Sequence, residues 1–187
     1  MKTVTFKKTE LTEKSLLIAH LLNNPGILVN QLRLMPAAES AVGEFLAGTD
    51  EEKRLHIIEA VHQFDEGLLY RSLYHLQWML KESALPRQQD QAGLVFDRSL
   101  RPGIIYVLPE CPAMFLEIIK MIEEPIPVRV TRYLYLEAEN TQGFFFEPLA
   151  IKKAGKPQQE KALIETQIES LREQAGLTRE EIIKFLT

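Results

Sequence analysis

The sequence predicts an α+β fold: an N-terminal cluster of short helices, an antiparallel sheet built from two hairpins with one intervening helix, and a C-terminal helical hairpin. Three observations carry this. Leu69, Leu73, Leu76 and Leu80 recur at helical spacing, with Tyr70, Tyr74 and Trp78 beside them. Runs of strand-forming residues separated by turn chemistry fill the stretch from Leu94 to Ile151. Thr49-Asp50-Glu51-Glu52 and Thr178-Arg179-Glu180-Glu181 both read as capping boxes, in which a threonine hydroxyl and a glutamate satisfy the first free amides of a helix.

In chain order, residues 2–7 alternate apolar and polar and predict a short strand. Thr12 is an N-cap for a helix carrying Leu16, Leu17, His20 and Leu21, which Asn23-Asn24-Pro25-Gly26 stops. Pro25 opens a second helix through Leu28, Gln31, Leu32 and Met35. Pro36 opens a third with Val42, Phe45 and Leu46, ending at Gly48. Thr49 starts a fourth with Leu55, Ile58, Val61 and His62 on one face, and the leucine stripe completes a helical part over about 1–84. The sheet part, about 92–153, pairs Leu94-Val95-Phe96 with Ile104–Leu108. It then places a helix from Pro112 to about Glu124, and pairs 128–137 with 144–151. Pro148 cannot donate to a ladder, which marks its strand as an edge or a bulge. Residues 157–187 carry Leu163, Ile164, Ile168 and Leu171, then Gly176 and the second capping box. The whole reads as one domain over 1–187.

A net charge of -4 disfavours a nucleic-acid partner, which calls for a basic face. No apolar run is long enough to cross a bilayer as a helix. The N-terminus, Met1-Lys2-Thr3-Val4-Thr5-Phe6-Lys7-Lys8, has no apolar signal core, and Cys111 is the sole cysteine. Together these predict a soluble cytoplasmic protein.

Motifs for chemistry are sparse. His56 and His62 stand six apart, off the i, i+4 spacing that pairs histidines on a helix, and Cys111 has no cysteine partner, so no metal is expected. There is no glycine-rich phosphate loop, and no cofactor is expected. Cys111 falls just before a predicted helix, where the dipole lowers a thiol pKa. Arg132 shares strand parity with Val128, Val130, Leu134 and Leu136, so it needs an acidic partner or a path to water. Glu137 and Glu139 end that strand; this Glu-x-Glu resembles the acidic motif of ADP-ribosyltransferases over three residues, without the accompanying Ser-Thr-Ser strand.

Tyr133 and Tyr135 belong to a mixed aromatic and charged strand face, and Phe144, Phe145 and Phe146 cannot all point into one core because strand side chains alternate. These five residues form the expected binding surface. The sequence therefore favours a non-catalytic interaction protein, an adaptor, chaperone-like or assembly factor, with a protein partner or self-association. The alternative is a small enzyme whose site gathers Cys111, Arg132 and Glu137.

Overall fold

A computed structural model describes residues 6–35, 38–82, 96–122, 126–138 and 141–149. Its elements are β1 (Lys7–Thr9), α1 (Lys14–Asn23), a 3-10 turn (Pro25–Ile27), β2 (Arg33–Leu34), β3 (Ala38–Ser40), β4 (Gly43–Thr49) and β5 (Leu55–Ala60). There follow α2 (Leu68–Glu82), β6 (Gly103–Leu108), α3 (Ala113–Ile122), β7 (Val128–Ala138) and β8 (Thr141–Leu149).

The N-terminal helix cluster is corrected by this order. Among the described residues of the segment expected to hold it, only α1 and α2 form; between them the described elements are a 3-10 turn and four strands. The reason is burial. Every residue of β5, Leu-His-Ile-Ile-Glu-Ala, is buried. A strand covered on both faces shows a near-continuous apolar run, and in such a run residues three apart mimic one face of a helix. Thr49-Asp50-Glu51-Glu52 is a turn joining two strands: the Asp50 Oδ1 accepts from the amides of Glu52 at 3.0 Å and Arg54 at 2.9 Å, and Lys53 takes φ 64°. The β3–β4 connection is likewise a tight hairpin, with Gly43 at φ 124°.

The expected antiparallel sheet is also corrected. The sheet is mixed, in the order β1-β7-β6-β5-β4-β2, with β3 on β4 and β8 on β7. The central strands β5, β6 and β7 run parallel, which short hairpin loops cannot connect. Helices make the crossings instead, α2 between β5 and β6 and α3 between β6 and β7. Ile104–Leu108 therefore pairs with β5 and β7 rather than with residues 94–96, of which 94 and 95 lie outside the described residues. The second hairpin forms as β7 and β8, antiparallel from Val130↔Leu149 to Ala138↔Thr141. The expected C-terminal helical hairpin falls outside the described residues.

Both crossings step the same way across the sheet, so connections of one hand put both helices on one face. That face packs Leu68, Leu76 and Met79 of α2 and Phe115 and Ile119 of α3 over Leu55, Ile57, Ile104, Tyr106 and Leu108. The opposite face packs Leu17 and Leu21 of α1 over Leu46, Ile58, Ile105, Val107, Tyr133 and Phe146. Gly48 is required where β4 meets β2: a Cβ there would lie 2.6 Å from the Arg33 carbonyl oxygen.

Candidate functional site

The residues named from sequence as an enzyme site do not gather. Arg132 and Glu137 lie on one strand, roughly 16 Å apart at about 3.3 Å per residue and on opposite faces. Arg132 is engaged by Glu147 across the β7–β8 ladder, its Nε donating at 2.8 Å. Glu137 is exposed and accepts from the Gln142 side chain at 3.2 Å. Cys111 is half-buried in the turn before α3, and burial pushes its thiol up, away from the reactive thiolate. Glu139 lies outside the described residues.

The five aromatic residues divide by burial. Tyr133, Phe145 and Phe146 are buried, whereas Tyr135 and Phe144 are partly covered. Phe144 and Phe146 share a face, as alternation demands, and the His20 ring of α1 meets both, tilted against Phe144 at 5.0 Å and stacked on Phe146 at 5.6 Å between ring centroids. The Tyr133 hydroxyl donates to the Val61 carbonyl at 3.2 Å, and burial holds this phenol at about 12.

What the fold brings together is polar and internal. Glu59 on β5 and Tyr106 on β6 are register partners, side by side on the α2 face. Ser72 and His75 stand three apart on α2, a Cβ separation of about 5–6 Å that matches the spacing between strands. His75 Nδ1 therefore meets Glu59 Oε1 at 2.5 Å, and Ser72 Oγ meets the Tyr106 hydroxyl at 2.6 Å. The Ser72 hydroxyl donates to the Leu69 carbonyl at 2.8 Å, so the Tyr106 hydroxyl is the donor between those two. Burial raises the Tyr106 phenol well above its ordinary value, and Glu59 adds to this while Ser72 opposes it. The His75 ring stacks on Phe45 at 4.3 Å, and its Nε2 has no hydrogen-bond partner among the described residues.

A second carboxylate–imidazole pair lies at the start of β5. His56 Nε2 donates to Asp50 Oδ2 at 2.8 Å. Its register neighbours are Gly48 on β4 and Gly103 on β6. A Cβ on Gly103 would fall 2.8 Å from His56 Nδ1, so the imidazole occupies the space that glycine leaves. Burial lowers the His56 pKa; the Asp50 hydrogen bond and charge oppose this, and the Arg129 and Arg54 guanidiniums add to it. Burial works against the Asp50 carboxylate, but the His56 hydrogen bond and the Arg54 amide outweigh it and hold Asp50 below its ordinary value.

A carboxylate on one imidazole nitrogen fixes the tautomer and leaves a lone pair on the other, the form a general base takes. Among the described residues the Glu59–His75 pair lacks the rest of a reaction centre. His75 is 1% and Glu59 3% exposed, and the Ser72 hydroxyl is spent on the Leu69 carbonyl. Among the described residues no group of three or more His, Cys, Asp or Glu side chains is placed to hold a metal ion, and no helix is long and apolar enough to cross a membrane. No family model matches the sequence, and no curated protein and no solved structure matches it.

The surface feature that sequence reading missed is on α3. Its inner face buries Phe115 and Ile119, and Met114, Ile118 and Met121 stand outward, with the two methionines 77% and 81% exposed. The 4,3 spacing of these three is present in the sequence, but Ile118 also fits an inward set with Phe115, Ile119 and Ile122, and the structure leaves it 37% exposed.

Proposed function

We propose that this chain is a non-catalytic cytoplasmic interaction protein, and that the outer face of α3 meets its protein partner. The observation that carries this reading is the apolar stripe Met114–Ile118–Met121. Exposed methionines offer a polarizable, adaptable surface that repacks against a partner. The stripe runs along about two helical turns, roughly 10–15 Å, the footprint of an apolar ridge from another helix. Glu117 and Lys120 beside it neutralise each other at 2.7 Å and add no net charge.

The enzyme reading has less support, because Cys111, Arg132 and Glu137 do not gather and the Glu59–His75 pair is sealed under α2. The test compares tagged full-length protein with its Met114→Lys/Met121→Lys variant, purified from the cell of origin and read by native mass spectrometry. A heteromeric or self-associated species present with the parent and lost with the folded variant is expected. Identical species from both would overturn the assignment to α3. A monomeric parent that turns over a small-molecule substrate would overturn the interaction reading as a whole.

A further inference from the structure

We propose that Asp50 and His56 form an acid-sensitive clasp that holds the β4–β5 turn against the 97–101 loop leading into β6. Asp50 organises the turn: its Oδ1 accepts the Glu52 and Arg54 amides, and its Oδ2 takes the His56 Nε2 hydrogen. The turn is docked on the loop by two bonds, from the Asp97 amide to the Lys53 carbonyl at 2.8 Å and from Arg54 Nη1 to the Arg101 carbonyl at 3.2 Å. His56 lies beneath this junction, 4% exposed, with Nδ1 against Gly103 and no hydrogen-bond partner among the described residues.

The groups around the imidazole decide what a proton does there. From the turn come the Asp50 carboxylate and the Arg54 guanidinium; from β7 comes Arg129; β4 and β6 present only Gly48 and Gly103. A proton added at Nδ1 would create a buried N–H with no acceptor among these residues. It would also place a cation near the Arg54 and Arg129 guanidiniums, with Asp50 in contact with the ring and Glu52 pairing with Arg54 at 3.2 Å. When the clasp opens, the imidazole meets water and takes the proton freely.

The sign follows. The opened state binds more protons, so closure is favoured in full above the ordinary histidine value of 6.5 and weakens as pH falls below it. Asp50, held below its ordinary value, stays charged through this window, so of the two clasp groups His56 is the one that titrates there.

Hydrogen exchange on the full-length protein tests this. Amides of residues 50–58 and 97–104 are followed at pH 7.5 and 5.5, corrected for intrinsic rates. If closed His56 stays neutral to pH 5.5, the opening equilibrium rises about tenfold. His56→Gln keeps a donor for Asp50 and cannot titrate, so its exchange should be the same at both pH values. Nitrogen shifts of the wild-type imidazole give a second measure if that variant does not fold, with His56 expected as the Nε2–H tautomer at pH 7.5 and unprotonated at 6.5. Equal wild-type protection at both pH values, a His56→Gln variant that opens in acid as the parent does, or a His56 that titrates at or above 6.5 would each overturn the proposal.

Discussion

Strand β5 carries a carboxylate–imidazole contact on each face of the sheet, and the two differ in what they join. Asp50 and His56 are six residues apart and tie a turn to the strand that follows it. Glu59 and His75 are sixteen apart and fasten a helix to the sheet, with Phe45 stacked on the ring and the Ser72–Tyr106 bond alongside. The first pair borders solvent through Asp50 and is flanked by glycines and guanidiniums. The second is enclosed by apolar side chains. The same two functional groups thus act locally in one place and across the tertiary structure in the other. Their removal should cost different amounts and be felt in different regions.

The largest effect is expected at the enclosed pair. Glu59→Ala leaves His75 buried beside an unfilled space, and losing one partner of such a pair costs about 3–5 kcal/mol. Urea unfolding of the full chain measures it, with exchange rising across α2. A loss under about 1 kcal/mol would mean the pair contributes nothing beyond packing.

Next come two glycines beside His56, Gly103 making room for its ring and Gly48 for β2. Gly103→Ala sets a Cβ against His56 Nδ1, and Gly48→Ala sets one against the Arg33 backbone carbonyl; overpacking of this kind costs about 1–3 kcal/mol. Gly48→Ala should be the worse of the two because backbone yields less than a side chain. Thermal melts of both variants settle the order.

Asp50→Ala removes one acceptor that serves two amides and an imidazole, so a cost of about 1–2 kcal/mol is expected. The loss should not shrink at pH 5.5, because Asp50 raises the imidazole pKa against burial and its removal leaves closed His56 harder still to protonate. At the small end, Met121→Lys should change stability by no more than about 0.5 kcal/mol, since this residue lies on the surface. A large loss there would show that the outer face of α3 is covered within the chain.

Local signals were enough for α1, α2, α3 and the β7–β8 hairpin, and the reason is the same in each case. The leucine stripe of α2, the Pro112 start of α3 and the two strand-forming runs of the hairpin are each complete within a few residues, with Thr141 to Gly143 already paired within β8. The stretch from Pro25 to His62 misled because its strands are short or buried on both faces. Spacing alone cannot separate such runs from helices. The Asp50–His56 pair left a trace, an aspartate followed by amides it can cap, which the capping-box reading absorbed. Glu59–His75 left none. Its partners meet only because β5 and β6 are parallel neighbours with α2 laid over them, and nothing near either residue encodes that topology.

Strand β7 also bears on the order in which the molecule can be made. Its outer edge pairs with β8 from Val130 onward, so β6 and β1 divide the inner edge, β6 against Val128–Arg132 and β1 against Tyr135–Glu137. β1 is synthesised before any other described strand, yet its register partners are among the last described residues to leave the ribosome. The β4–β5 pair can zip as soon as it emerges, and α2 and β6 can add to it in turn. The first strand must wait through all of this. Newly made chains should therefore pass through a state in which Lys7–Thr9 is unpaired while the centre of the sheet is already set, and the joining of β1 to β7 should be a late event in folding.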